Sequence, residues 1–171
     1  LWVNDITYWK INTNKHLYIS FITDAYSHKI VGWHVAETLE AIESIAALRK
    51  ALSAFKGAES LFSLTHHSDR GMQYCSKEYV KLLQDYNIQI SMTENGDPLE
   101  NAKAERINGI TKEEYLNAYE VSNIKQAKEL PDAVINLYNE DRPHMSMSMS
   151  MSMSISISNL TPNQIHHSAN P

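Results

Sequence analysis

Three acidic residues, far apart along the chain, have settings in which a carboxylate could do chemistry. The first, Asp5, lies within LWVNDITYWK, where Trp, Val, Ile, Thr and Tyr predict a strand and an aspartate does not fit. Burying an unpaired carboxylate is costly, so an acid at this position needs a compensating partner. A bound divalent cation would offset that cost, because its positive charge stabilises the carboxylate.

The second acid, Asp69, stands in THHSDRG, just past the apolar run LFSLTHH at residues 61–67. Loops at the carboxyl ends of strands often hold catalytic groups in α/β sheets. Asp-Arg-Gly is also typical of a tight turn, with Gly71 two residues further on. Taken alone, the turn is the better explanation of Asp69.

The third acid belongs to a polar stripe in ENAKAERINGITKEEYL, formed by Asn101, Glu105, Asn108 and Lys112. At 3.6 residues per turn these four side chains project from one face of a helix. Taken alone, such a stripe is usually a solvated helix face.

Together the three acids predict a metal site built from separate elements. Magnesium and manganese prefer hard oxygen ligands, and two ions about 4 Å apart can activate both oxygens in a phosphodiester exchange. Asp5 within a strand, Asp69 at the end of a neighbouring strand and Glu105 on a helix could supply those ligands.

The surrounding pattern predicts an α/β fold with the element order β-β-β-α-β-α-β-α-α. Short connections join the first three strands, which implies an antiparallel meander. The later helices pack on a mixed sheet. The predicted strands are 2–9, 16–24, 28–36, 61–67 and 88–92, and the predicted helices are 39–56, 77–86, Asp97-Pro98 to about Asn117, and 123–140 with a kink or division at Pro131.

Bulk composition predicts an ordinary globular domain. The chain has 171 residues, 43% of them apolar, and no apolar run long enough to cross a bilayer, so we expect no membrane partner. Its formal charge of −5 argues against a dedicated nucleic-acid binder. The one cysteine cannot form an internal disulfide, which suits a reducing cytoplasm.

Several motifs in order resemble one family across nearly the whole chain: WVNDITY, ITDAYSHKIVGW, HHSDRGMQYCS, SMTENGDPLENAKAERINGITKEEYL, YNEDRPH and LTP. The resemblance is to the integrase-core (DDE) transposases of bacterial insertion-sequence family three, within the retroviral-integrase superfamily. Thirty-five residues lie between Asp69 and Glu105, which matches the spacing of that family's acidic triad.

The resemblance implies a ribonuclease-H-like fold, with three antiparallel strands followed by two parallel-type strands and flanking helices. It implies that Asp5, Asp69 and Glu105 are catalytic and bind two Mg²⁺ or Mn²⁺ ions. The reaction would nick transposon-end DNA and then join its freed 3′-hydroxyl to target DNA. We expect a bacterial cytoplasmic protein that acts as a homo-oligomer on DNA.

The resemblance also extends to DNA contacts. Asn108 and Lys112 match family positions that face DNA, and Arg70 and Arg106 are weaker candidates for phosphate contacts. Family members carry a helix-turn-helix region ahead of this core, so we expect further residues before Leu1. A basic surface in that region would reconcile DNA binding with the acidic balance.

The chain is predicted to divide into two parts. Residues 1–142 would form the catalytic core, including its C-terminal helix. Residues 143–171 would form a tail that contains MSMSMSMSMSISIS at 145–158, a low-complexity repeat expected to be a mobile surface loop.

Two other functions stay open at this point. A ribonuclease-H-type nuclease would cut without joining, and a decayed transposase fragment would only bind DNA or assemble. Three further residues have plainer interpretations: Asp24 as a turn cap, His66 as a packing residue and His67 as a residue near the metal or DNA.

Overall fold

The computed structural model describes residues 1–12, 15–55, 61, 63–93, 102–142 and 160–169. Within them lie five strands and five α-helices, in the predicted order apart from one further helix at the end. They are β1 Trp2–Lys10, β2 His16–Asp24, β3 Ile30–Ala36, α1 Ala41–Leu52, β4 Thr65–Ser68, α2 Lys77–Asp85, β5 Gln89–Met92, α3 Ala102–Ile110, α4 Ile124–Asp141 and α5 Pro162–Ala169.

The strands form one mixed sheet in the order β3-β2-β1-β4-β5. The first three strands pair antiparallel, as their short connections predicted. Two parallel pairs follow, β1 with β4 and β4 with β5. The predicted arrangement, three antiparallel strands and then two parallel ones, is confirmed.

Alternation along β1 divides the core between the two faces of the sheet. Trp2 belongs to a buried cluster with Leu48 of α1 and Tyr79 of α2. Trp9, seven residues on and therefore on the other face, belongs to a cluster with Ile107 of α3 and Tyr138 of α4. Helices therefore cover the sheet on both sides, and Asp5, which shares a face with Trp9, points towards α3.

The close approach of α1 to the sheet depends on Gly32 in β3. A β-carbon there would lie 2.5 Å from the backbone oxygen of Ala47. Any other residue would push α1 away from the sheet.

The helix predicted to run to about Asn117 ends its α-helical part earlier, at Ile110. It continues as a π-helical turn, Thr111–Tyr115, and a 3₁₀ turn, Leu116–Ala118. Buried Thr111 donates its hydroxyl to the carbonyl of Ile107 at 2.8 Å, a bond of the kind that bends helices. The wider turn changes the direction in which later side chains project.

Helix α4 is not divided at Pro131, because Ile124–Asp141 is one continuous helix that contains this proline. Helix α5 lies in the segment expected to be a tail, and it packs against α4. Ile165 is buried, and His166 Nδ1 lies 3.2 Å from Ser27 Oγ.

Parts of the sequence prediction fall outside the described residues, namely the helix start at Asp97-Pro98, Asn101 of the polar stripe and the loop at residues 145–158. No described helix combines the length and apolarity that crossing a membrane requires.

Candidate active site

Asp5 lies in the middle of β1, opposite Phe21 of β2. Its side chain faces α3, where Asn108 donates from Nδ2 to Asp5 Oδ2 at 2.8 Å. Asn108 itself is buried, and its Oδ1 atom has no hydrogen-bond partner in the part of the chain that the structure describes. Asn108 therefore donates to one carboxylate oxygen of Asp5, while its own amide oxygen accepts no hydrogen bond from the described residues.

The parallel pairing of β1 with β4 sets the position of Asp69. Trp2 pairs with His66 and Val3 with His67, an offset of 64 residues in both cases. The same offset relates Asp5 to Asp69, which directly follows Ser68, the last residue of β4. Neighbouring strands lie about 4.8 Å apart, so this register favours a position of Asp69 near Asp5.

Glu105 reaches the same region from α3. It precedes Asn108 by three residues, so both project from nearly the same side of the helix. Unlike buried Asn108, Glu105 is exposed to solvent.

The charges of Asp69 and Glu105 both act on the pKa of Asp5. The pKa of this carboxyl is raised from 3.8 to about 6, mainly by burial and to a smaller extent by the charges of Asp69 and Glu105, against hydrogen bonds from the Ile6 backbone and Asn108 that lower it. Asp5, Asp69 and Glu105 therefore form one electrostatic cluster, called here the carboxylate cluster.

The carboxylate cluster does not have the tight spacing of a finished metal site. Among the described residues, no three acidic, histidine or cysteine side chains are gathered closely enough to hold an ion as they stand. The donor set nevertheless fits Mg²⁺ or Mn²⁺, since it consists of hard oxygen ligands. A cation would also offset the burial of the Asp5 carboxylate and its repulsion by Asp69 and Glu105, the causes that raise its pKa.

The loop after β4 fixes the direction of Asp69. Its Oδ1 accepts a hydrogen bond from the Gly71 N–H at 2.9 Å, so Asp69 does stabilise a turn, as the Asp-Arg-Gly sequence indicated. Arg70 donates from Nε to the carbonyl of Thr93 at 2.7 Å, which ties the loop to the end of β5. Only one oxygen of Asp69 is used by the turn bond, and the same aspartate can serve both the turn and a metal.

A buried polar network lies on the opposite face of the sheet, directly behind the acids. Asn4 donates to the Tyr79 hydroxyl at 2.7 Å, and that hydroxyl lies 3.0 Å from His66 Nε2. Tyr74 and Ser20 both donate to Asn4 Oδ1, each at 3.3 Å. The network joins β1 to β4 through residues adjacent in sequence to Asp5 and near Asp69.

Sequence reasoning missed this network, apart from the packing role of His66, which is confirmed by its burial. Asn4 beside Asp5 was the available signal, because a second polar residue in the strand must face the other way. Burial lowers the pKa of His66 to about 4, so its ring is neutral near pH 7, and its Nε2 lies within hydrogen-bond distance of the Tyr79 hydroxyl. His67 pairs with Ser91, its Nδ1 lying 2.9 Å from Ser91 Oγ.

The remaining residues singled out from the sequence are Lys112, Arg106, Asn101 and Asp24. Lys112 follows the α-helical part of the stripe and lines a cavity near the end of β1. Arg106 is exposed on α3, while Asn101 lies outside the described residues. Asp24 caps the β2–β3 turn as predicted, since its Oδ1 accepts from the backbone N–H groups of Tyr26 and Ser27.

Comparison with known families identifies the chain. The family model described as integrase core domain matches residues 1–98, and a second model of the same description matches residues 86–151. The chain belongs to the integrase core domain family. The first match includes Asp5 and Asp69, and the second includes Glu105.

Proteins similar to this integrase core domain come from bacterial insertion sequences. A protein assigned as the transposase of element IS986/IS6110 in Mycobacterium tuberculosis is 37% identical over 68% of this chain and 42% of its own length. The transposase of element IS629 in Shigella sonnei is 33% identical over 83% of this chain and 46% of its own length. The chain thus spans less than half the length of these two relatives.

Solved structures confirm the ribonuclease-H-like fold. The catalytic core of HTLV-2 integrase, in a trimeric form with magnesium, has a TM-score of 0.65 at 23% identity and covers 97% of this chain and 95% of its own. The catalytic core of BIV integrase has a TM-score of 0.69 at 18% identity and covers 98% and 93%.

Proposed function

We propose that this chain is the catalytic core of a DNA transposase, which cuts transposon-end DNA and joins the freed end to target DNA. The family, the fold and the transposases among its relatives support this function. The observation that carries it is the setting of Asp5, which accepts a hydrogen bond from Asn108 of α3 and whose pKa is raised by burial and, to a smaller extent, by the charges of Asp69 and Glu105. The motifs quoted above resemble those of insertion-sequence family three, which supports assigning the transposase to that family.

The proposed metal ligands are Asp5, Asp69 and Glu105. Two Mg²⁺ or Mn²⁺ ions, when bound there, would supply an activated oxygen nucleophile and stabilise the departing oxygen. Magnesium is present in the HTLV-2 integrase core, which supports this choice of ion. Asn108 orients Asp5 through its hydrogen bond to Oδ2, and Gly71 orients Asp69 through Oδ1.

Four residues are proposed to contact DNA beside the acids. Lys112 and Arg106 extend along the same helical element as Glu105 and can approach phosphates on that side. Arg70 has its guanidinium fixed by Thr93 and stands next to Asp69. Asn108 is the fourth, with one amide oxygen left unused near the acids.

The proposed partners are transposon ends, target DNA and further copies of the same chain. Dimeric and trimeric forms of the HTLV-2 integrase core support an oligomer. We place the reaction in the bacterial cytoplasm, where these DNA substrates are found. We also propose that residues 1–142 form the catalytic core and residues 143–171 form an appended segment.

The test is a DNA-joining assay with the full-length protein, Mg²⁺ and labelled duplex copied from the ends of the element. We expect nicked ends and strand-joined products with the wild-type protein. Asp5→Asn and Glu105→Gln should each lose both products by at least about 100-fold, the scale of a removed electrostatic stabiliser. Matched controls are Asp85→Asn and Glu129→Gln, which change exposed carboxylates on α2 and α4.

Two results would contradict the proposal, and each points to a different alternative. Cutting without joining indicates a nuclease of the ribonuclease H type. DNA binding without cutting, in the presence of Mg²⁺ or Mn²⁺, indicates a transposase fragment that has lost its chemistry.

A further inference from the structure

Helix α3 packs over the turn that joins β2 to β3, on the same face of the sheet as Asp5. Ala104 of α3, Val3 of β1 and Ala25 of the turn form a small buried cluster. Four residues further along α3, Asn108 donates to Asp5, which lies two residues beyond Val3 in β1. Four helical residues rise about 6 Å and two strand residues about 7 Å, so α3 runs along β1 in the same direction.

The two flanks of α3 carry opposite charges. Lys103 and Glu105 directly precede and follow buried Ala104, so at 3.6 residues per turn they project from opposite flanks of the helix. The Glu105 flank faces the acids, because the charge of Glu105 adds to the effect of burial on the pKa of Asp5. The Lys103 flank therefore faces away from the acids, towards the β2 side of the sheet.

The Lys103 flank faces His28, in the turn between β2 and β3. Burial lowers the pKa of His28, and the charges of Lys103 and Arg106 act in the same direction. Arg106 lies about one helical turn after Lys103, and both side chains are exposed to solvent. His28, Lys103 and Arg106 are called here the basic patch.

The backbone of His28 is held in an unusual conformation beside this flank. Its φ is 60°, in the left-handed region that residues with a side chain seldom adopt. Its N–H donates to the carbonyl of Asp24 at 2.8 Å, and its own carbonyl accepts from the Tyr138 hydroxyl at 3.3 Å. These contacts with β2 and α4 fix the turn beside the two cations.

Positive charge prevails among the groups that act on His28, although the whole chain has a formal charge of −5. Lys103 and Arg106 are the cations, and the carboxylate of Asp24 opposes them. The Oδ1 atom of Asp24 accepts hydrogen bonds from the Ser27 hydroxyl and from the N–H groups of Tyr26 and Ser27, so the turn already engages this acid. The exposed cations suit contact with a DNA phosphate.

The two flanks of α3 are spaced to meet both edges of a DNA groove. An α-helix with its side chains is about 10–12 Å across, and the major groove of B-DNA is about 12 Å wide. A phosphate that reacts at the carboxylate cluster would lie at one flank. A phosphate on the other edge of the groove would lie at the opposite flank, where the basic patch is.

We propose that the basic patch binds a backbone phosphate of the complementary DNA strand, across the major groove from the phosphate that reacts at the carboxylate cluster. Lys103 and Arg106 neutralise this phosphate, and the His28 turn lies beside it. Helix α3 thus holds the duplex between its two flanks. This inference rests on the proposed function, because it takes DNA to be the substrate.

The test measures the affinity of the full-length protein for a duplex copied from the ends of the element, with Ca²⁺ in place of Mg²⁺ so that binding is read without cutting. The logarithm of the association constant is followed against the logarithm of the KCl concentration. Each phosphate contact contributes about 0.9 to this slope. Lys103→Gln should therefore reduce the slope by about one and weaken binding equally for duplexes of different sequence.

Single methylphosphonate linkages, which carry no charge, locate the contact on the DNA. On the complementary strand, a linkage across the major groove from the reacting phosphate should weaken binding by the wild type and have little further effect in Lys103→Gln. Lys103→Arg should keep the wild-type slope. Lys125→Gln is the matched control, because this exposed lysine lies about 20 Å along α4 from Tyr138. Circular dichroism checks that each variant is folded.

The inference is overturned if Lys103→Gln keeps the wild-type slope, or if Lys125→Gln lowers the slope as much. It is also overturned if the methylphosphonates that lose their effect in Lys103→Gln lie only on the reacting strand. Its failure is distinct from failure of the proposed function. Cutting and joining by the wild type, with an unchanged slope in Lys103→Gln, reject the basic patch and keep the transposase. A slope lowered by about one, when the wild type shows no Mg²⁺-dependent cutting, keeps the basic patch and rejects the transposase.

Discussion

Asp5 shows why one residue can be costly for folding and still be retained in a strand. Its carboxyl is largely buried and faces the charges of Asp69 and Glu105, which together raise its pKa to about 6. In the metal-free chain near pH 7 the ionised form is therefore destabilising. The sequence predicted this conflict, because a strand is a poor place for a lone aspartate.

Asp5→Asn should stabilise the metal-free chain by about 1–3 kcal/mol at pH 7, since a neutral amide of the same shape removes the cost of burying a charge and the smaller repulsion from Asp69 and Glu105. Urea unfolding measures the difference, with Asp85→Asn as the control on exposed α2. Mg²⁺ or Mn²⁺ should stabilise the wild type and leave the Asp5→Asn variant nearly unchanged. A less stable Asp5→Asn variant would contradict this account of the site.

His66 predicts a pH dependence of stability opposite in direction to that of Asp5, because the pKa of His66 is lowered and that of Asp5 is raised. Burial lowers its pKa from 6.5 to about 4, so between these values the unfolded chain binds more protons than the folded chain. The contribution of His66 to stability is therefore present above pH 6.5 and is lost as the pH falls towards 4.

The measurement compares the free energy of unfolding of Asp5→Asn with that of Asp5→Asn/His66→Gln from pH 7 to pH 4. The Asp5→Asn background is needed because the raised pKa of Asp5 acts in the opposite direction over this interval. The two curves should converge as the pH falls. Parallel curves would show that His66 is protonated as readily in the folded chain as in the unfolded one.

At the scale of elements, the buried network holds β1 and β4 in the register that places Asp5 beside Asp69. Tyr79 of α2 is its centre, since its hydroxyl meets both Asn4 and His66. Tyr79→Phe leaves these two buried groups without that partner and should cost about 1–3 kcal/mol. It should also weaken Mn²⁺ binding, whereas Tyr26→Phe on an exposed ring should change neither property.

Calorimetric titration with Mn²⁺ and urea unfolding check that prediction. A Tyr79→Phe variant with wild-type Mn²⁺ affinity would show that the network stabilises the fold without positioning the acids.

The loop after β4 positions Asp69 through Gly71. A β-carbon at this glycine would lie 2.9 Å from Asp69 Oδ1 and 2.4 Å from Gln73 Nε2. Gly71→Ala should therefore displace the carboxylate and lower Mn²⁺ affinity by about 10-fold, comparable to the loss of an orienting neighbour at a metal site. Gly109→Ala is the control, because a β-carbon there meets nothing within 4 Å; equal losses in both variants would reject this role for Gly71.

The sequence predicted the order of elements well and their detailed geometry less well. Strand alternation and short connections were enough for the meander, whereas the two parallel-type strands were expected from the family resemblance. The π-helical turn at Thr111–Tyr115 was missed, because it depends on the bond from Thr111 to Ile107 and on the contact of Arg142 with Glu114. Tertiary contacts of this kind leave no periodic signal.

For the candidate site, too, the sequence predicted which residues take part but not how their side chains contact one another. Residue types and spacing pointed to Asp5, Asp69, Glu105 and Asn108. Neither could reveal that Asn108 donates to Asp5 or that Arg70 binds the end of β5, because those contacts depend on strand register and helix rotation.

At the scale of the whole molecule, helix α5 packs against α4, although the sequence predicted that residues 143–171 form a tail. Ile165 is 5% exposed, so Ile165→Ala should lower the free energy of unfolding by about 2–3 kcal/mol. Ile42→Ala is the matched control, since that side chain is 58% exposed on α1. Thermal or urea unfolding measures both, and equal, small effects would show that α5 does not contribute to the stability of the core.

The central claim is that acids from β1, the loop after β4 and α3 share divalent ions. Its most direct test is the anomalous difference map of a crystal of the chain soaked in Mn²⁺. We predict manganese density bridging the carboxylates of Asp5 and Asp69, with Glu105 beside it. Manganese at saturating concentration that binds elsewhere, or that contacts only one of these aspartates, would contradict the claim.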